Sequence, residues 1–445
     1  MRELVAGLDI GSNTMKLLLH DMDKENVVIA QIPTPWTISG NGLTVLKSDD
    51  LIQALKALLR KSMRKAETHW RSPVNVNALA ISGMGETGYL MKRPHTPVGP
   101  AYAWFDKSGR NLIEALPNEL RTSFEGITGL PLGAQVSVAK ILLLQSQGVD
   151  LKKSRWINIP EFIAYILGAD HVGEYSLMSR TGLIDQSSGG PWEELLRTMG
   201  ADLDLIPRLV NAGSFIGTVS NKNIPAEFLD AKITIAGHDH LVAASSNGPM
   251  LDDVYYVSMG TAEVLLRILD EPLNFSTRAY FAKNLINSVR HVVPGKHVIV
   301  AGVKTGLLMR RALNLFGISN EIQRNALDAT LMKMNQPAAA ASGISVTGAR
   351  NGDGELSLTI ARDEVGPAEV FSALLDHGNR ELLRLIKIIE ESVSPAKRSM
   401  LTGGWSQMES VAAARSSILP NCVRSAREQD TAFGAALFAR RLIRH

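Results

Sequence analysis

The sequence predicts an α/β fold built from two similar halves. Short apolar strand patterns alternate with amphipathic helix patterns along its 445 residues, as in layered α/β proteins. A strand–turn–strand pattern with Gly11 in its turn opens the chain, and the same pattern recurs near the middle with Gly260. We therefore expect a duplicated architecture with a cleft between two domains, residues 1–245 and 246–445.

The first half begins with a predicted β-hairpin whose strands cover residues 4–8 and 15–20. Residues 49–68 then place leucines on one helical face and lysines and arginines on the other, which predicts an amphipathic helix. A buried strand is predicted over 76–81, where small and apolar residues follow one another. The remaining predicted elements of this half are helices over 112–120, 138–147 and 161–167 and a short strand over 234–236.

The second half repeats the hairpin, with predicted strands over 254–258 and 263–269. A long amphipathic helix is predicted over 370–390, and the chain ends in a helix over 432–441. Between these helices, a short strand over 400–402 leads into a pair of glycines. The order of strands and helices therefore repeats the α/β alternation of the first half.

The composition limits the classes of partner. Lys and Arg number 47 against 44 Asp and Glu, so the formal net charge is only +3. No basic run indicates a nucleic-acid or membrane surface, and no stretch of about 18 apolar residues predicts a transmembrane helix. The single cysteine, Cys422, excludes an intrachain disulfide and favours a reducing compartment. We expect a cytoplasmic protein that binds neither nucleic acid nor membrane.

Three strand-to-turn junctions are rich in Gly, Ser and Thr, at residues 11–14, 260–261 and 402–404. Such turns present backbone N–H groups and hydroxyls to one point, which suits phosphate oxygens. Taken singly, each could equally be a simple connection between strands. Asp9 before the first turn and Lys16 after it favour phosphate binding, because a carboxylate orients hydrated Mg²⁺ and an ammonium group neutralises phosphate. No Walker or GxGxxG sequence is present.

Asp239 lies between His238 and His240, directly after the predicted strand over 234–236. One interpretation is a strand end whose aspartate caps the following helix. The other is a carboxylate at a cleft, which accepts the proton of an attacking hydroxyl group as a general base. A zinc site would need a third ligand, and no convincing one stands nearby in the sequence.

Several segments resemble the FGGY family of carbohydrate kinases, in the family's order and over nearly the whole chain. LDIGSNTMKLLLHD is similar to the first phosphate motif, IAGHDHLVAA to the catalytic segment, and VSMGTAEVLL to the second phosphate motif. LTGGWSQM resembles the adenosine loop, and ISGMGETGYLM and AYAWFD resemble the substrate-side segments. Each piece is a modest signal, but their shared order is specific.

The resemblance implies two ribonuclease-H-like domains of the actin-like ATPase fold, closing on ATP, Mg²⁺ and a small carbohydrate or polyol. Asp239 would be the catalytic base, Asp9 would hold the magnesium ion, and the family suggests a homodimer. The implied substrate-binding residues are Glu86, Thr87, Trp104, Asp106, Asp239 and His240. The implied ATP-binding residues are Gly11, Ser12, Asn13, Lys16, Gly260, Thr261, Gly403 and Gly404.

Some residues depart from the family's pattern. Ser12 and Asn13 replace two threonines but keep side chains that form hydrogen bonds. Gly85 stands where glycerol-type members carry a basic residue, which makes glycerol a less expected acceptor. Ser108 stands where an arginine is common. Trp104 also has a second interpretation as a core residue, since large aromatic side chains are usually buried.

Two other functions remain open. DIGSNT resembles the opening of exopolyphosphatases, which share the superfamily fold, but VSMGTAE does not match their second glycine-rich motif, DIGGGSTE. The shared fold also permits a nucleotide-switched, actin-like binding module without catalysis. The sequence does not determine which sugar, polyol or sugar acid is the acceptor, or which hydroxyl is phosphorylated.

Overall fold

A computed structural model describes most of the chain. The described residues are 2–21, 26–92, 96–246, 248, 250–260, 262–334, 343–348, 357–425 and 430–444. Within these ranges, none of the helices has the length and apolar character needed to cross a membrane.

The strands of the first half precede residue 246, and the others follow it. In chain order they are β1 (Arg2–Ile10), β2 (Thr14–Asp21), β3 (Val27–Pro33), β4 (Thr37–Ile38), β5 (Thr44–Leu46), β6 (Val74–Gly83), β7 (Gly88–Lys92), β8 (Thr96–Pro97), β9 (Ala101–Tyr102), β10 (Ser154–Asn158), β11 (Val172–Glu174), β12 (Arg208–Val210), β13 (Gly217–Thr218), β14 (Lys232–His238), β15 (Val254–Met259), β16 (Glu263–Leu269), β17 (Ile286–Arg290), β18 (His297–Val303), β19 (Ile344–Thr347), β20 (Ser357–Ile360), β21 (Arg398–Thr402) and β22 (Cys422–Arg424).

The α-helices alternate with these strands. In chain order they are α1 (Ser48–Trp70), α2 (Arg110–Glu114), α3 (Asn118–Thr128), α4 (Ser137–Ser146), α5 (Ile159–Leu167), α6 (Tyr175–Met178), α7 (Glu193–Thr198), α8 (Asp239–Ser245), α9 (Phe275–Lys283), α10 (Thr305–Leu315), α11 (Glu321–Lys333), α12 (Pro367–Glu390), α13 (Glu409–Ser416) and α14 (Asp430–Arg444).

Two six-stranded sheets repeat one topology. In the first sheet, β1 pairs with antiparallel β2 and parallel β6, and the full order is β13-β14-β6-β1-β2-β3. In the second sheet, β15 pairs with antiparallel β16 and parallel β21, and the full order is β17-β18-β16-β15-β21-β22. Five strands therefore share the same order and directions in both sheets: β14-β6-β1-β2-β3 in the first corresponds to β22-β21-β15-β16-β18 in the second. The predicted duplication of an α/β architecture is confirmed.

Apolar side chains cover both faces of the first sheet. Along β1, Leu4, Ala6 and Leu8 belong to the core that contains buried residues of α1 and α5. Val5 belongs to a separate core on the other face. Successive side chains of a strand point to opposite faces, so this alternation buries both sides of β1. A strand covered on both faces reads as an almost continuous apolar run, as this one does.

The last helix, α14, packs against the first sheet although it follows the second sheet in the chain. A Cβ atom added at Gly7 of β1 would lie 2.0 Å from the carbonyl oxygen of Ala432. A Cβ atom at Gly434 would lie 2.3 Å from the carbonyl oxygen of Val242 in α8. Glycine at both positions therefore permits the close approach of α14 to β1 and α8.

One predicted helix, over residues 112–120, is wrong. The structure has two helices there, because α2 ends at Glu114 and α3 begins at Asn118. Pro117 lies directly before α3, and a proline disfavours the helical conformation of the residue that precedes it. Each of the other predicted strands and helices overlaps an element of the same type, with ends that differ by at most three residues.

Replacing Gly7 by alanine is expected to destabilise the protein by about 1–3 kcal/mol, the usual cost of forcing extra atoms into a packed core. The added atom would collide with the backbone of α14 at Ala432 and Ala436, which cannot move aside as a flexible side chain can. Gly40→Ala is the matched control, because nothing lies within 4 Å of a Cβ atom there. Urea unfolding should show a lower midpoint for Gly7→Ala alone, and equal midpoints would contradict the close packing of α14 on β1.

Candidate active site

Three parallel strands of the first sheet end at one edge. Ile10 of β1 lies beside Gly83 of β6, and Gly83 lies beside His238 of β14. The segments that follow these strand ends are therefore neighbours, and they contain the first glycine turn, Glu86 and Asp239. Ligands of open α/β sheets bind outside the carboxyl ends of the strands, so this edge is the candidate active site.

Asp9 is buried near the end of β1, opposite Lys16 of β2. Burial, and next the Asp239 carboxylate, raise the pKa of Asp9 to about 7, whereas Lys16 acts in the opposite direction. The Oδ1 atom of Asp9 is buried and has no hydrogen-bond partner in the described part of the chain. A cation would satisfy this oxygen and favour the ionised carboxylate, so Asp9 fits a magnesium site.

The protein supplies only part of such a magnesium site. Across the described ranges, no group of three or more His, Cys, Asp or Glu side chains could hold a metal ion. Mg²⁺ commonly keeps several waters and binds one or two carboxylates together with phosphate oxygens. Asp9 therefore suits an ion that arrives with a nucleotide better than a resident metal centre.

Asp239 is the first residue of α8, and His238 before it occupies the N-cap position without a capping hydrogen bond. The Oδ1 atom of Asp239 accepts a hydrogen bond from the backbone N–H of His240 at 2.7 Å. The same oxygen lies 3.2 Å from Nδ1 of His238. His238 rather than Asp239 therefore occupies the N-cap position, although the Asp239 carboxylate accepts one backbone N–H of the first turn of α8.

The surroundings of Asp239 keep its carboxylate ionised. Burial alone would raise the pKa of Asp239, but His240, the backbone N–H that His240 donates and the Arg180 guanidinium oppose burial, and the pKa is lowered. Burial, followed by the charge of Arg180, lowers the pKa of His238 well below its usual value, so this imidazole is neutral. Asp239 is thus a carboxylate at neutral pH, as a proton acceptor must be.

Glu86 forms a buried ion pair that the sequence did not indicate. The Nε atom of Arg180, in the turn after α6, donates to Oε1 of Glu86 at 2.6 Å, and Nη2 lies 2.5 Å from the same oxygen. Burial raises the pKa of Glu86, Arg180 opposes this shift, and Asp239 adds to it. Glu86 also has a left-handed backbone with φ of 60°, which residues other than glycine rarely adopt. Such strain is common where a side chain is held at a functional site.

Two tryptophans hold the first glycine turn. The indole N–H of Trp36 donates to the carbonyl oxygen of Ser12 at 2.7 Å, and that of Trp104 donates to the Ser12 hydroxyl at 2.9 Å. The backbone N–H of Trp104 in turn donates to the hydroxyl of Thr87 at 3.0 Å. Trp104 is 36% exposed, so it is not a core residue. It joins a predicted phosphate residue to a predicted substrate residue.

Asp106 uses both carboxylate oxygens to fix its own loop. One accepts from the backbone N–H of Thr44 and the other from that of Ser108, both at 2.8 Å. The buried ammonium group of Lys140 donates to the carbonyl oxygens of Asp106 and Ser108 and to the Ser108 hydroxyl. These contacts position the loop that carries Trp104. The contact of Asp106 with substrate stays a prediction.

A chain of buried polar groups supports the backbone next to Asp239. Glu161 accepts hydrogen bonds from the backbone N–H groups of Asn158 and Glu174, although burial raises its pKa to about 8. Glu174 accepts from the hydroxyl of Ser176 at 2.6 Å. That hydroxyl accepts from the backbone N–H of His238 at 3.0 Å. These residues, which the sequence did not single out, therefore fix the backbone next to Asp239.

Gly260 and residues 402–404, which belong to the other two glycine-containing turns, lie where β15 and β21 end side by side. A Cβ atom at Gly403, whose φ is 87°, would lie 2.7 Å from the carbonyl oxygen of Met259. A Cβ atom at Gly306 in α10 would lie 1.8 Å from the carbonyl oxygen of Gly260. Gly260 and Gly403 are therefore held together, and a Cβ atom at Gly404 would meet nothing within 4 Å. Thr261, also predicted to bind ATP, lies outside the described residues.

The fold that carries this site is shared with solved kinase structures. The chain aligns with the crystal structure of Plasmodium falciparum glycerol kinase with ADP at a TM-score of 0.84 and 16% identity. The alignment covers 100% of this chain and 90% of that chain. The predicted class of protein, an α/β protein of the actin-like ATPase fold, is therefore confirmed.

The family follows from the sequence match. The model of the N-terminal domain of the FGGY family of carbohydrate kinases matches residues 4–245, which is more than half of the chain. The protein belongs to the FGGY family of carbohydrate kinases.

Its curated relatives are distant. Glycerol kinase of Thermococcus gammatolerans is 21% identical over 304 residues, covering 66% of this chain and 59% of that protein. Gluconokinase of Bacillus subtilis is 21% identical over 330 residues, covering 73% of this chain and 62% of that protein. The chain thus spans about three fifths of the length of these relatives.

The pH dependence of stability tests the buried carboxyl of Glu174. Burial raises its pKa from 4.5 to about 7. The folded protein then keeps this proton where the unfolded chain loses it, so the stability from this group is full below about pH 4.5 and is lost as the pH rises through about 7. Glu174→Gln, which cannot titrate, is expected to flatten the fall in unfolding temperature over this range.

Thermal unfolding at a series of pH values measures this effect. Glu194→Gln is the control, because Glu194 is an exposed residue of α7. It should keep the wild-type slope. If the unfolding temperature of Glu174→Gln falls with pH as steeply as that of the wild type, the result would contradict a protonated Glu174 in the folded protein.

Proposed function

We propose that the protein transfers the γ-phosphoryl group of ATP to a hydroxyl group of a small carbohydrate or polyol. The observation that carries this proposal is the ionised carboxylate of Asp239, which lies close enough to Asp9 to raise its pKa at the same sheet edge. A carboxylate there accepts the proton of the acceptor hydroxyl. The oxygen of that hydroxyl attacks the γ-phosphorus, and ADP leaves. Glycerol and gluconate, the acceptors named for the two relatives, both carry such hydroxyl groups.

The three glycine-containing turns, at residues 11–14, 260–261 and 402–404, are the proposed nucleotide site. Phosphoryl transfer depends mainly on positioning and on stabilising charge, which backbone N–H groups and a lysine supply. Bound Mg²⁺ would neutralise charge on the phosphates, with Asp9 as its protein ligand. The proposed ATP-binding residues are Gly11, Ser12, Asn13, Lys16, Gly260, Thr261, Gly403 and Gly404. The turns would belong to two domains, residues 1–245 and 246–445, with α14 returning to the first.

The acceptor is proposed to bind between Asp239 and the ion pair of Glu86. Glu86 accepts hydrogen bonds and Trp104 offers a partly exposed aromatic face, a combination that suits a carbohydrate. Thr87 holds the backbone of Trp104, Asp106 holds its loop, and His240 lies beside Asp239. Family membership favours neither the exopolyphosphatase-like alternative nor the binding module without catalysis.

Asp239→Asn is expected to lower the rate of phosphoryl transfer by about 10²–10⁴-fold, because the amide cannot take the proton of the acceptor. Binding of ADP should persist, since the proposed nucleotide contacts lie on the glycine turns. ADP release coupled to NADH oxidation measures the rate, and isothermal titration calorimetry measures ADP binding.

The matched control is Asp170→Asn, because Asp170 is an exposed aspartate of the same half, paired with Arg208 at 3.4 Å. Its turnover should equal that of the wild type. Wild-type turnover in Asp239→Asn would remove the general base from the proposal. Loss of ADP binding in that variant would show instead that the substitution disturbs the nucleotide site.

A further inference from the structure

Arg180 has a buried hydrogen-bond donor without a partner. The residue is only 8% exposed. Its Nε atom donates a hydrogen bond to Glu86, and its Nη2 atom forms an ion pair with the same carboxylate. Nη1 is buried and has no partner in the described part of the chain. A buried donor left unpaired, especially a charged one, costs free energy, so it usually marks a place for a ligand or an ordered water.

The space that Arg180 occupies depends on Gly85. A Cβ atom at Gly85 would lie 3.1 Å from Cδ of Arg180 and 3.1 Å from Cδ2 of His238. A larger side chain there would therefore displace the guanidinium group or the imidazole. Gly85 thus allows a cation from a distant part of the chain to stand beside Glu86 and Asp239.

We propose that Nη1 of Arg180 donates a hydrogen bond to a hydroxyl oxygen of the acceptor, next to the hydroxyl that loses its proton to Asp239. This assignment rests on the proposed function and makes Arg180 a specificity-determining residue. Glu86 and Arg180 together then recognise a hydroxyl group completely, because the carboxylate accepts its proton and the guanidinium donates to its oxygen.

The charges around Arg180 define the class of acceptor. Glu86 neutralises Arg180, and the Asp239 carboxylate raises the pKa of Glu86, so a further negative charge lies close to the pair. A carboxylate group of an acceptor would meet this negative charge, whereas a hydroxyl group would not. The structure therefore assigns a neutral acceptor with two adjacent hydroxyl groups, a polyol or a ketose, in preference to a sugar acid.

The first test measures acceptor specificity in the wild type and in Arg180→Lys. Glycerol, xylitol, D-xylulose, L-rhamnulose and D-gluconate serve as acceptors, with magnesium ATP as the donor. Lysine keeps the charge beside Glu86 but lacks the planar fork of donors, so KM for the best neutral acceptor should rise about ten- to hundredfold. KM for ATP should stay within about twofold, because the hydrogen bond and ion pair of the Arg180 side chain in the described chain go to Glu86 and to none of the proposed nucleotide residues.

Arg267→Lys controls for the loss of a buried arginine. Arg267 is 4% exposed, also has nitrogens without partners in the described chain, and donates to the carbonyl oxygen of Ser394 in the second half. Its replacement should change the unfolding temperature at most, and the KM for the acceptor should equal that of the wild type.

The second test uses an analogue of the best acceptor that lacks the adjacent hydroxyl group. In the wild type, kcat/KM should fall about ten- to hundredfold, a measurement that needs no variant to fold. In Arg180→Lys, kcat/KM should fall much less when the analogue replaces the best acceptor, because the donor is already absent. Equal losses in both proteins would show that Arg180 only positions Glu86.

The outcomes separate this assignment from the function on which it rests. A wild-type protein that phosphorylates no acceptor contradicts both. A wild-type kinase whose Arg180→Lys variant keeps its acceptor KM contradicts the role of Arg180 alone. D-Gluconate as the best acceptor contradicts the preference for a neutral substrate.

Discussion

The register of three parallel strands is the constraint on which the rest of the site depends. Because Ile10, Gly83 and His238 lie side by side, three segments that are far apart in the chain emerge at one edge of the first sheet. That edge receives the first glycine turn, the left-handed Glu86 and the start of α8. Both faces of the sheet are buried, by α1 and α5 on one side and by α14 on the other. A shift of one residue in any of these strands would exchange its two faces. Packing of the two cores therefore fixes the register of the strands, and this register positions the residues of the site.

The same edge gives its two aspartates different protonation behaviour. Asp9 is buried, one of its oxygens has no hydrogen-bond partner among the described residues, and burial raises its pKa to about 7. Asp239 is partly buried, but its neighbours lower its pKa despite that burial. Separate environments for two nearby carboxyl groups allow separate roles, one suited to a cation and the other to a proton. Nη1 of Arg180, which has no partner among the described residues, belongs to a guanidinium group that lowers the pKa of Asp239, and it suits a hydroxyl oxygen of the acceptor.

The sequence predicted those parts of the structure that local patterns encode. The two hairpins, the paired glycine turns and Asp239 after its strand are all readable from short segments, and so was the duplicated architecture. Pro117 was also a local signal, and giving it more weight would have divided the predicted helix over 112–120 correctly.

Contacts between distant segments could not be predicted. Arg180 meets Glu86 across 94 positions, and the Trp104 indole meets the Ser12 hydroxyl across 92. No spacing or periodicity in one sequence links such residues, because the sheet register and the packing of loops bring them together. The sequence showed that Gly85 lacks the basic side chain of glycerol-type members, but only the fold places the Arg180 side chain next to Gly85.

The central claim is that this sheet edge transfers a phosphoryl group to a carbohydrate or polyol hydroxyl. The most direct measurement is ADP release by the wild-type protein with magnesium ATP, with and without a panel of ketoses, polyols and aldonates. The account predicts ADP formation that requires an acceptor and yields one phosphorylated product for each ADP. ADP formation that is independent of every acceptor, with inorganic phosphate as the product, would contradict it.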